Sequence, residues 1–127
     1  MSTRIDALID RAATEIDAAH LLADADFHEQ AASRAYHAAA YAAQAALHAV
    51  GEPGSRRAGV VAGFDRRVVG QGGFDPVQGS ALRRLLELRD AADDDWLDNP
   101  PGVEAPALIA QRFVEAVARW IAEQGPA

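Results

Sequence analysis

Residues 27–50, FHEQAASRAYHAAAYAAQAALHAV, decide the fold. Close to half of this stretch is alanine, the strongest helix former, and no glycine or proline interrupts it, so it reads as one long helix. Alanine adds little bulk beyond the backbone, which lets neighbouring helices come close. The stretch is therefore expected to be the element around which the others pack. A second pattern runs along it. Gln30, Arg34, His37, Tyr41, Gln44 and His48 recur at spacings of 4, 3, 4, 3 and 4, which places all six on one face. Between Gln30 and Val50 there is no Asp, Glu or Lys, although a solvated helix face ordinarily carries them. Two readings stand side by side. The stripe is either a polar groove or shared interface, or the water-facing side of an amphipathic helix.

The ends of this helix are marked. Asp26 and Glu29 have the spacing of a capping box, Gly51 sits where helices end in a left-handed residue, and Pro53 blocks resumption. Ahead of it, residues 3–23 form a helix with Ile5, Leu8, Ile9, Ala12, Ile16, Ala19 and Ala23 on its apolar stripe and Ser2 or Thr3 as its cap. The short connection through Asp24-Ala25-Asp26 predicts an antiparallel pair. Behind it, Ser55 caps a third helix running to about Val69, with Val60, Val61, Phe64 and Val68 inward. Gly59 and Gly63 beside that stripe predict close approach of another backbone. Asp75-Pro76-Val77-Gln78 opens a fourth helix, which reaches about Trp96 and turns Ala81, Leu82, Leu85, Leu86 or Leu88, Ala92 and Trp96 to the core. Asn99-Pro100-Pro101-Gly102 breaks the chain. A fifth helix follows from Val103 or Glu104 to Glu123, with Leu108, Ile109, Phe113, Val114, Val117 and Ile121 on its apolar face. No alternating pattern supports a strand. The expected fold is all-α, an up-and-down bundle of about five helices forming a single domain over residues 1–127.

Composition excludes several chemistries. There is no cysteine, so disulfides and thiolate metal sites are out. No apolar run is long enough for a membrane span, and the acid-bearing N-terminus lacks a signal core, so a cytoplasmic protein is expected. The net charge of −7 argues against a general nucleic-acid binder, but it is uneven: residues 54–89 carry seven Arg against three acids, so this third is the anion-facing candidate. The glycine run at Gly70-Gln71-Gly72-Gly73 matches neither a P-loop nor a dinucleotide fingerprint. No Glu-x-x-His pair exists, and the acids at Asp93-Asp94-Asp95 lack a surrounding cage, so no metal and no cofactor are expected. Of four histidines, only His37 has close polar company, with Arg34 one turn before it and Tyr41 one turn after. A metal-free phosphodiester cleavage needs a base near neutrality and a cation for the developing oxyanion, roles open to His37 with Arg34 or Arg89.

The run Ala32-Ser33-Arg34-Ala35-Tyr36-His37-Ala38, continued by Ala46-Leu47 and Gly51, resembles the signature helix of HEPN domains (higher eukaryote and prokaryote nucleotide-binding), in the prokaryotic branch with an S-R-A-Y-Y-A core. Gly59-Val60 with Phe64, Val68-Val69 and Gly70, then Leu88 to Asp93, then Ala110 with Phe113-Val114, resemble that branch's further segments in order. The resemblance implies a dimeric helical bundle, often encoded beside a minimal nucleotidyltransferase, with many members acting as ribonuclease toxins through an Arg followed by His on the fourth helix. That pair is incomplete here: Arg89 is followed by Asp94, Asp95 and Trp96, and no His. Arg57 stands where the branch carries His, and Asp94 where it carries Tyr. The resemblance thus implies a homodimeric binding protein that takes a nucleotide or RNA, or a nucleotidyltransferase-type partner, in a toxin–antitoxin or defence setting. Arg34, His37, Tyr41, Gln44, Arg57, Arg89 and Asp93 are its candidate ligand contacts. A diverged ribonuclease using Arg34, His37 and Arg89, and a purely structural dimerisation module, are the alternatives.

Overall fold

The computed structural model describes residues 3–52, 57–93 and 104–124. Its elements are α1 (Thr3–Asp24), α2 (His28–Ala49), α3 (Arg57–Gly63) running directly into a π-helical segment (Phe64–Gly70), α4 (Pro76–Asp93) and α5 (Pro106–Glu123). Among the described residues there is no strand, and the fold is an all-α bundle.

Helix α2 touches every other element. The cause is its composition: ten of its alanines are buried, together with Tyr36 and Leu47. Methyl-sized side chains on most of its circumference let α1, α4 and α5 pack closely around it, and dispersion contacts accumulate at that close range. Cross-helix pairs fix the directions. Glu15 meets Arg34 and Arg11 meets Tyr41, so numbering falls on α1 as it rises on α2 and the two are antiparallel. Tyr36, early in α2, meets Arg89, late in α4. His20, late in α1, donates its Nε2–H to the Gln111 Oε1, early in α5, at 2.8 Å. The four long helices therefore alternate up and down. Helices α1 and α4 flank α2 while both also touch α5, which leaves one strip of α2 uncovered. That strip is the polar stripe: Gln30 is exposed, and Arg34, His37, Tyr41, Gln44 and His48 are half-buried.

The third helix departs from expectation. It is α-helical only to Gly63, and from Phe64 it widens into π geometry, with the Gln71 N–H reaching the Arg66 carbonyl five residues back at 3.1 Å. Glycines permit this path. A Cβ on Gly70 would lie 3.2 Å from the Asp65 carbonyl, and one on Gly72 would lie 2.6 Å from the Val68 carbonyl. Phe64 and Val68 are both fully buried, and Phe64 joins Phe74 and Phe113 in a ring cluster with centroids 5.3 and 5.4 Å away. Arg66 and Arg67 both reach the same carboxylate, Glu52. The expected close approach of another backbone is found at neither glycine: a Cβ on Gly63 would make ordinary contact with the Leu47 and Glu52 side chains, and Gly59 faces open space.

Other boundaries also shift. The capping box at Asp26 and Glu29 does not form. Asp26 takes the left-handed turn position that ends α1 (φ 67°), so Phe27 becomes the N-cap of α2 and has no side-chain cap bond. Gly51 is left-handed as expected (φ 78°), and the Asp75 carboxylate accepts the Val77 N–H at 2.9 Å as the cap of α4. On α5, Leu108 is 42% exposed and lies off the buried face, whose seventh member is instead Trp120, pinned by its Nε1–H to the Gly72 carbonyl at 2.9 Å. In α4, Leu82 and Leu85 fill the core and Ala81, Leu86 and Leu88 are partly buried; Trp96 and the Ala92 side chain lie outside the described residues, as do Ser55, Ser2 and the Thr3 side chain.

Because Ala39 is fully buried where helices meet, Ala39→Leu is expected to lower stability by about 1–3 kcal/mol in urea unfolding, through overpacking. Ala13→Leu on the exposed side of α1 is expected to stay within about 0.5 kcal/mol of the parent.

Candidate functional site: the open face of α2

The uncovered strip of α2 has a floor and two walls. On the α1 wall, the Arg34 guanidinium reaches the Glu15 carboxylate at 3.0 Å, and the Glu15 side chain is only 17% exposed. One turn away, the Arg11 guanidinium carbon lies 5.3 Å from the centroid of the Tyr41 ring. On the α4 wall, the Arg89 guanidinium carbon lies 5.3 Å from the centroid of Tyr36, whose ring is almost fully buried. Both distances suit cation–π attraction.

His37 occupies the floor between these walls. Its Nδ1 lies 2.7 Å from the Ser33 carbonyl oxygen. A carbonyl only accepts, so Nδ1 is the donor of this bond, and in the neutral tautomer it selects the lone pair lies on Nε2. The Tyr36 ring meets His37 edge-on at 5.9 Å, so one tyrosine touches both the imidazole and the Arg89 guanidinium. Gln44 and His48 extend the half-buried floor toward the C-terminal end of α2. Chemically, the face offers a proton acceptor, two amide or imidazole groups beside it, and guanidinium groups on both sides.

The other candidates divide. Three of the seven arginines of the middle third are committed to internal pairs. Arg66 and Arg67 both bind Glu52 at 3.2 Å, Arg67 also donates to the Val50 carbonyl at 2.9 Å, and Arg83 binds Asp65 at 2.8 Å. These pairs tie the π segment to the end of α2 and to α4. The side chains of Arg57 and Asp93 lie outside the described residues, so the site is built without them. Two contributors escaped the sequence reading: Arg11 and Glu15, one turn apart on α1. Nothing in their local sequence marks them, and only the antiparallel pairing with α2 turns them toward the stripe. A separate cavity of about 240 Å³ lies between the first halves of α4 and α5, lined in part by Val77, Arg84, Ile109 and Arg112, away from the open face of α2. Among the described residues, no group of three His, Cys, Asp or Glu side chains is placed to hold a metal ion, and no helix is long and apolar enough to cross a membrane.

No family model matches the sequence. A protein of Methanocaldococcus jannaschii named "Putative toxin" is 30% identical over 121 residues, covering 94% of this chain and 90% of its own length. The chain belongs to the family of that archaeal protein. The match runs nearly end to end, so it includes α2, both walls of the open face and the α4–α5 half of the bundle together.

If the Glu15–Arg34 pair holds the α1 wall, a double-mutant cycle of Glu15→Gln and Arg34→Gln in urea unfolding is expected to give a coupling of about 0.5–1 kcal/mol, smaller at high salt. A coupling of zero at low salt would mean that the pair does not form in solution.

Proposed function

We propose that this protein is the toxin component of a toxin–antitoxin pair, a HEPN-like homodimer that engages RNA or a nucleotide-bearing ligand on the open face of α2. Its neutralising partner is a minimal nucleotidyltransferase-type protein. The near-complete match to the archaeal relative carries the toxin part of this reading. The chemistry of the face supports the ligand class. Arginines on both walls suit phosphate, the half-buried Tyr41 and Gln44 suit base and sugar edges, and no acid stands on α2 between Gln30 and Val50 to repel an anion.

One observation favours a second, stronger form of the reading, in which the protein cleaves the RNA. The bond from His37 Nδ1 to the Ser33 carbonyl selects the neutral tautomer whose lone pair is on Nε2. In that orientation the imidazole takes the proton of a ribose 2′-hydroxyl as its oxygen attacks the adjacent phosphorus, a wall guanidinium stabilises the charge on the phosphorane, and the P–O5′ bond then breaks to give a 2′,3′-cyclic phosphate and a 5′-hydroxyl, the departing oxygen taking its proton from the imidazolium or from water.

Induced expression in a bacterial host tests the toxin reading. Wild type is expected to arrest growth, and co-expression of a nucleotidyltransferase-type partner, where one is encoded beside it, to restore it. Full growth with abundant folded protein overturns the reading. Incubation of purified protein with RNA then separates the two forms: cleavage lost by at least about a hundredfold in His37→Ala supports catalysis, and saturable binding without cleavage leaves the binding form.

A further inference from the structure

The sequence pattern points to Arg34 as the cation of the stripe, but the structure places that charge elsewhere. Arg34 is committed to Glu15 at 3.0 Å, and with 17% of its side chain exposed, Glu15 has little access to water to replace that partner. Swinging Arg34 out to a ligand would strand a largely buried carboxylate. Arg11 is in the opposite position. It is exposed, it has no ion pair among the described residues, and its guanidinium rests on the Tyr41 ring. Stacking uses only the face of the guanidinium, so its N–H donors remain available at the edge. Across the floor, Arg89 repeats the arrangement on Tyr36 at the same 5.3 Å. The two tyrosines bracket His37 in sequence and hold one arginine from each wall, and such pre-positioning reduces the ordering cost when an anion arrives.

We infer that Arg11, seated on Tyr41, is an anion contact of the open face, opposite Arg89, the fourth-helix arginine that the resemblance already marks. Arg34 is a positioning residue locked to Glu15, with no direct ligand contact. This rests on the RNA-binding reading above and goes beyond it, because α1 enters the site through a residue outside the stripe.

Titration of a fluorescent five-nucleotide uridylate against the full-length wild type, Arg11→Gln, Arg34→Gln and Arg89→Gln tests this. Arg11→Gln and Arg89→Gln are each expected to weaken binding about tenfold, and to make its dependence on log salt shallower by about one unit. Arg34→Gln is expected to stay within about threefold of wild type in affinity, with an unchanged salt slope, while its unfolding midpoint falls. Arg11→Lys, which keeps the charge and loses the stacked fork, is expected to fall between wild type and Arg11→Gln. Circular dichroism of each variant confirms the fold. A larger loss in Arg34→Gln than in Arg11→Gln, or an unchanged salt slope in Arg11→Gln, overturns the inference and leaves the RNA-binding reading standing. Absence of binding by the wild type overturns both.

Discussion

The structure depends on the close packing of alanine methyl groups along α2. A helix this poor in side-chain volume contributes little apolar area of its own. Its contribution is proximity: helices settle against its backbone, and their larger side chains, such as Leu47 with Val60, Leu82 and Phe113, complete the interior. The same composition determines what is left over. With α5 behind it and α1 and α4 beside it, α2 has a single strip facing outward, and the few large polar residues of the helix are gathered there. The core and the candidate site are thus two faces of one packing constraint, and enlarging any buried alanine would move the walls as well as the core.

Much of this was legible in the sequence. The alanine run, the period of the polar stripe, Gly51 and the Asp75-Pro76 start are local signals, and local backbone chemistry decides them. What was not legible depended on partners distant in sequence. The π segment after Gly63 is one such feature: it coincides with Arg66 and Arg67 both reaching Glu52, on the far side of α3 in sequence. The capping box failed because Asp26 was needed to end the preceding helix, a competition that spacing alone does not reveal. Trp120 was missed as a core residue because its indole N–H finds its acceptor at Gly72, 48 positions away.

The candidate site shows the same division. His37, Tyr41 and Gln44 were visible as a periodic stripe, and their half-buried placement matches it. The roles of the charged residues were not visible, because a charge acts according to its neighbours. Five of the described arginines, Arg34, Arg66, Arg67, Arg83 and Arg112, are held by carboxylates from other segments, whereas Arg11 and Arg89 rest on tyrosine rings and have no ion pair among the described residues. This separates structural cations from functional ones more sharply than net charge does. A −7 protein can present a face suited to phosphate when its acids are kept to other surfaces or consumed in pairs.

The central claim is that the open face of α2, between α1 and α4, is the functional surface. Amide chemical-shift mapping during titration with a short single-stranded RNA tests it most directly. The account predicts that the shifts concentrate on residues 33–44, with satellites at 11–15 and at Arg89. Shifts gathered instead along the α4–α5 cavity around Arg84 and Arg112, with the α2 face unmoved, would contradict it.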